Sequence, residues 1–253
     1  MRFSRFAVIL AALFPSTAGA NGFAHNENFI VYTPDQKSQA EDQKFAELVL
    51  QRAETYRREF SKQWLGKELP RGAGESVIYV GFSTSEDRGL TWAKDHPDRT
   101  LHNVYLITSP DNAVGSTLRH EVAHTVLATQ FPHPNRLPSW VEEGIASRYD
   151  DEARRSAREQ LTRFWARTGN APPVVHLLEM EDMRSFDESS YAAATSLVSF
   201  LLTQGDEQKL LQFAVDGQRN GWLNALNSHY RIRDHRDLQA QWQTWLANDV
   251  NAG

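Results

Sequence analysis

Two histidines and a glutamate stand together at His120-Glu121-Val122-Ala123-His124. Four residues make about one turn of an α-helix, so on a helix both imidazoles leave the same face and can reach one divalent ion. Glu121 projects beside them. Histidine nitrogen suits zinc, and a carboxylate next to a metal-activated water is what metal-assisted hydrolysis needs for proton transfer. This spacing is the H-E-x-x-H pattern, in which the two histidines bind and the glutamate acts as general base.

A catalytic zinc needs three protein ligands and an open position for water. The extended metzincin pattern places Gly and then His after the second histidine. Leu127 and Gln130 occupy those positions here, so that branch is excluded. No cysteine is present, which removes thiolate ligands, disulfides and a cysteine nucleophile. A downstream carboxylate is the remaining choice, and the segment after Pro138 offers both Glu142 and Glu143. Two His and a carboxylate bind zinc well but accept other divalent ions too.

The elements that must position these groups follow from periodicity and punctuation. Strands are predicted at 28–33, 75–82 and 101–108. A long helix from about Asp35 or Ser38 to Leu65 carries Phe45, Leu48, Val49, Tyr56, Phe60 and Trp64 at helical spacing and stops at Gly66. Residues 83–98 read as polar and turn-rich. The histidine helix starts between 111 and 116 and ends near Gln130, because Pro132 and Pro134 cannot continue it. Another helix opens after Pro138 and is expected to run past Tyr149. From 151 to 248 helices dominate, at 153–167, 191–202, 207–215, 222–230 and 237–246, with 174–186 less regular. The fold class expected is α+β, mostly helical: a small N-terminal sheet over the histidine helix, then a helical lobe.

Composition is that of a globular chain with a core. Of 253 residues, 40% are hydrophobic and 23% charged, and the net charge is −5. That balance argues against a nucleic-acid binder. Arg2 and Arg5, the apolar run 6–14 and Ala18-Gly19-Ala20 form the pattern of a cleavable signal peptide, residues 1–20. Nine apolar residues are too few to span a bilayer, and no later stretch is apolar enough. Residues 21–253 are then read as a single domain, with a sheet and active-site-helix lobe at 21–135 and a helical lobe at 136–253. Export without disulfides suits a bacterial periplasmic or secreted protein.

In combination the motifs resemble a known family. His120-Glu121-x-x-His124, eighteen residues, then Glu143-Gly144 is similar to the gluzincin arrangement of aminopeptidase N-type enzymes. That family's W-x-N-E-G segment is matched by Trp140-Val141-Glu142-Glu143-Gly144, with Glu142 replacing Asn. The shorter exported peptidase MA-like proteins resemble the chain more broadly, over roughly 75–248, through a P-x-W-x-x-E-G-x-A segment and a helical tail. The resemblance implies a thermolysin-like or gluzincin fold, one Zn2+ held by His120, His124 and Glu143, and Glu121 as base. The family's Y-x-x-G-x-x-L stretch is matched by Tyr191-Ala-Ala-Ala194-Thr-Ser-Leu197, which makes Tyr191 the implied oxyanion donor. Asp150, where the family carries an acid, is the candidate to orient a ligating histidine; on residue grounds it equally reads as an exposed acid beside Asp151 and Glu152.

In this class the strand before the histidine helix forms the cleft lip and pairs with an extended peptide. At 101–108 this would bring His102 and Asn103 near substrate, although ordinary edge-strand polarity accounts for them as well. No G-x-M-E-N stretch precedes His120, so the amine anchor of the exopeptidases is missing. The activity expected is therefore zinc-dependent hydrolysis of a peptide or protein substrate, by an endopeptidase. The alternatives are a non-catalytic peptide- or cell-wall-binding module on the same fold and a zinc hydrolase of a non-peptide ester or amide.

Overall fold

The computed structural model describes residues 20–95, 100–183 and 187–252. The predicted signal peptide falls almost wholly outside them. The chain is α+β, about 60% helical, with a small mixed sheet near its N-terminus. It divides into two compact units, Met1–Tyr56 with Pro70–Glu121 and Arg57–Leu69 with Val122–Gly253. Among the described residues, no helix is long and apolar enough to cross a membrane.

The first unit is built on five strands: β1 (Ala20–His25), β2 (Phe29–Pro34), β3 (Gly74–Phe82), β4 (Arg88–Asp95) and β5 (Thr100–Thr108). Their order is β1-β2-β3-β5-β4. β2, β3 and β5 run parallel, and the two outer strands are antiparallel to their neighbours. The long helix α1 (Gln39–Leu65) makes the crossover that the parallel pair β2 and β3 requires. It opens on a capping box in which Ser38 and Glu41 bond reciprocally, Glu41 N–H to Ser38 Oγ at 3.3 Å and Ser38 N–H to Glu41 Oε2 at 3.3 Å.

Burial alternates along β2, β3 and β5 with the period of two that a half-covered sheet demands. Phe29, Val31, Ile78, Val80, Val104 and Leu106 form the buried face. α1 lies on that face: Phe45 meets Phe82 edge-on with centroids 5.3 Å apart, and Thr33 Oγ1 donates to the Asp42 carbonyl. The opposite face carries an aromatic row drawn from all five strands. Phe23, Tyr32, Tyr79 and Tyr105 follow at 5.4, 5.5 and 4.8 Å, and Trp92 meets Tyr105 at 5.0 Å. Such cross-strand pairs stabilise a sheet by roughly 0.2–1 kcal/mol each.

Two strands depart from the sequence reading. β1 was not expected at all. β4 lies in the stretch read as polar and turn-rich, and β4, not β5, is the edge strand on the side of the histidine helix. Its pattern is inverted: the exposed Leu90 and Trp92 pair with Tyr105 and Asn103 on the aromatic side, while the small residues Gly89 and Thr91 pair with buried Leu106 and Val104. β5 is an inner strand. His102 is accordingly buried and bonds Ser76 Oγ through Nδ1 at 3.1 Å, so it is a sheet residue and not a cleft-lip group.

After β5 come α2 (Pro110–Ala113), capped by Ser109, and α3 (Ser116–Gln130), the histidine helix. Asp87, just before β4, ties these pieces together. Its carboxylate accepts from Thr108 Oγ1 at the end of β5, from Asn112 Nδ2 on α2 at 3.1 Å, and from Thr117 Oγ1 in the first turn of α3 at 2.6 Å.

The second unit is helical. It contains the end of α1, the rest of α3, and α4 (Ser139–Ala146), α5 (Glu152–Thr168), α6 (Val174–Leu178), α7 (Glu188–Leu202), α8 (Glu207–Asn220), α9 (Trp222–Ala225) and α10 (His235–Ala252). Asp151, Asp187 and Asp206 cap α5, α7 and α8, each accepting a backbone N–H three residues on. The core holds Trp64, Val126, Leu127, Trp140, Ile145, Leu197, Leu201, Phe213 and Trp242. α4 is shorter than predicted. It stops at Ala146, a 3-10 turn covers Ser147–Tyr149, and Asp150 is extended.

Candidate metal centre and its surroundings

α3 brings the two histidines onto one face, and α4 presents Glu143 to them. His120, His124 and Glu143 each offer a ligand atom, and these atoms all lie within 4.8 Å of one another. His124 Nε2 is 3.6 Å from Glu143 Oε2. Ligands about 2.0–2.1 Å from a tetrahedral zinc stand about 3.3–3.4 Å apart, so this pair is close to the required spacing. Two imidazoles and one carboxylate are also the donor set of a catalytic zinc with one open position. The residues fit a divalent metal.

Glu142 lies on the other side of the same imidazole. Its Oε2 is 4.0 Å from His124 Nδ1, beyond hydrogen-bond range, and Glu142 is not part of the ligand cluster. Its Oε1 is buried without a hydrogen-bond partner among the described residues. Burial raises its carboxyl to about 7, against the opposing pull of His124 and Arg136. Of the two carboxylates that the sequence offered, the chain brings Glu143 into the cluster with both histidines.

Gly144 explains how α4 reaches its position. A Cβ there would stand 2.7 Å from the Ala194 carbonyl oxygen and 2.7 Å from Val198 Cγ2, both on α7. Only glycine lets α4 approach the α7 backbone this closely. Tyr191 sits on α7 one turn before Ala194. It does not open the helix, as the sequence reading had it, but follows Glu188, Ser189 and Ser190.

Arg158 links Tyr191 to Asp150. Its guanidinium carbon is 5.4 Å from the Tyr191 ring centroid, and its Nη1 is 2.5 Å from Asp150 Oδ2. Asp150 is 3% exposed and Arg158 6% exposed, so this is a buried ion pair, with Arg154 Nη1 3.8 Å from the other carboxylate oxygen. Asp150 is therefore neither an exposed acid nor a residue two turns along α4. Nothing local in the sequence distinguishes Arg158 from the five other arginines within 148–167.

Glu121 lies outside the ligand cluster and is 4% exposed. Its Oε2 accepts a 2.6 Å hydrogen bond from Thr91 Oγ1 of β4. Sequence reasoning missed Thr91, Gly89 and Asp87 because it found no strand at β4.

No protein-family model matches this chain, and no curated protein matches it.

Proposed function

We propose that the chain is an exported zinc-dependent peptidase of the gluzincin kind its motifs resemble, with a thermolysin-like arrangement of sheet edge and histidine helix. The observation that carries this reading is the meeting of His120, His124 and Glu143, three residues from two separate helices, around a common point. His120 and His124 hold the metal through neutral imidazole nitrogens, and Glu143 completes the set and offsets part of its charge. When bound, the ion polarises the scissile carbonyl and makes water nucleophilic at neutral pH.

The remaining chemistry belongs to the chain. Glu121 accepts the proton of the attacking water and passes it to the leaving amine nitrogen, so the carboxylate is regenerated. Tyr191 donates a hydrogen bond to the carbonyl oxygen as charge develops there; such a donor is worth about 10²–10³ in rate. The free edge of β4 receives an extended peptide by strand addition.

The test is a paired measurement on wild type and Glu121→Gln. About one zinc per chain is expected in both, and cleavage of a peptide library in wild type alone. Metal-free protein that takes up no zinc would sink the reading. Zinc uptake with no cleavage of any peptide would turn it toward a binding module or a non-peptide hydrolase. Loss of zinc in Glu143→Ala but not in Glu142→Ala supports the ligand assignment.

A further inference from the structure

The base of the proposed reaction is held by the edge strand. Gly89 and Thr91 are two residues apart on β4, so their side-chain positions share one face. Their cross-strand partners, Leu106 and Val104, are fully buried, which identifies that face as the inward one. Glu121 lies against both positions. A Cβ on Gly89 would stand 2.2 Å from Glu121 Oε1 and 2.5 Å from its Cδ, so the carboxylate fills the space a side chain would take. Thr91 Oγ1 donates to the other oxygen, Oε2, at 2.6 Å.

A carboxylate at the end of a glutamate has a broad, roughly two-fold torsional preference and no strongly favoured orientation of its own. Here the hydroxyl binds Oε2, and Oε1 sits where a side chain on Gly89 would stand. Together the bond and the packing set the orientation of the carboxylate. We propose that Thr91 is a positioning residue for Glu121, with Gly89 providing the room for the carboxylate. Thr91 acts through the base and has no role in holding metal. This rests on the peptidase reading above. It adds that the strand receiving the substrate also orients the base, so the two registers are set by one element.

Thr91→Val keeps the shape and removes the hydroxyl; Thr91→Ser keeps the hydroxyl. In zinc-loaded protein, Thr91→Val is expected to lower kcat on the order of 10–100-fold, the usual effect of removing a supporting hydrogen bond. KM and zinc content stay at wild-type values, and Thr91→Ser recovers most of kcat. A second readout uses metal-free protein. Thr91→Val lowers the urea midpoint when Glu121 is present and leaves it unmoved in a Glu121→Ala background, as a direct coupling requires.

A wild-type kcat in Thr91→Val overturns the inference while leaving the peptidase reading intact. So does an equal loss in Thr91→Ser, a fall in zinc content, or an unchanged effect of Thr91→Val in the Glu121→Ala background. Wild-type protein that binds no zinc or cuts no peptide removes the peptidase reading, and the positioning role with it.

Discussion

Replacing Gly144 by alanine tests the packing that places Glu143, the proposed third ligand. The added Cβ would lie 2.7 Å from the Ala194 carbonyl oxygen and 2.7 Å from Val198 Cγ2. Ordinary contacts of this kind begin at 3.4 Å, so α4 and α7 must separate by about 0.7 Å. Two effects oppose each other. Alanine gains about 1 kcal/mol over glycine in a helix interior. Overpacking costs about 1–3 kcal/mol, and its upper range applies here because the Ala194 oxygen is backbone and cannot rotate away. The net expectation is a loss of about 1–2 kcal/mol, read from urea unfolding of metal-free protein. Because Glu143 precedes Gly144 directly, zinc affinity should fall about tenfold, measured by competition with a chelator. Val198→Ala removes one of the two clashing atoms and should recover part of both losses, a coupling expected only between residues in contact. A G144A protein as stable as wild type or more so, with unchanged zinc affinity, would refute the argument, since helix propensity would then be the only effect present.

Other consequences follow from the same residues. Glu142 has its carboxyl raised to about 7 by burial, above the ordinary 4.5. A raised carboxyl binds its proton more tightly in the folded state, so its contribution to stability is full below pH 4.5 and is lost as pH rises through 7. Metal-free wild type should therefore lose up to about 3 kcal/mol more than Glu142→Gln between pH 4.5 and 8, and parallel stability curves would refute this. Arg158→Met removes the closest cationic partner of the buried Asp150 carboxylate and should cost about 3 kcal/mol by thermal or urea unfolding, with much of it recovered in the double variant that adds Asp150→Asn. Ser38→Ala opens the capping box of α1 and should cost about 1 kcal/mol, measured by urea unfolding.

Much of the helical framework was legible in the sequence because its signals are local. The stripe from Phe45 to Trp64 and the prolines after Gln130 each act within one or two turns. His120 and His124 were legible for the same reason, since their meeting depends only on helix geometry. Glu143 was reachable because Trp140 and Gly144 frame it, and Gly144 has an observed cause in its approach to Ala194. What failed depended on distant partners. β4 was missed because its large apolar residues face the aromatic side, while its inward positions are small to accommodate a carboxylate from another element. Thr91 and Asp87 have no local signature; each acts through side chains about thirty residues away. The burial of Asp150 was not legible because a 3-10 turn breaks the helix before it and Arg158, its close partner, comes from the following helix.

The aromatic row across the sheet has an optical consequence. Seven tryptophans occur in the chain, and Trp92 is the only one in the first unit, the other six belonging by sequence to the second. Tyrosine emission overlaps tryptophan absorption, and Tyr32, Tyr79 and Tyr105 are linked to one another and to Trp92 at 5.5, 4.8 and 5.0 Å. Excitation absorbed by any of these tyrosines should therefore drain to Trp92. Because that indole is 42% exposed, its emission is red-shifted from that of the fully buried Trp64, Trp140 and Trp242. The difference spectrum between wild type and Trp92→Phe then isolates a built-in fluorophore for the sheet, one that can follow the first unit while the second is watched through its own tryptophans.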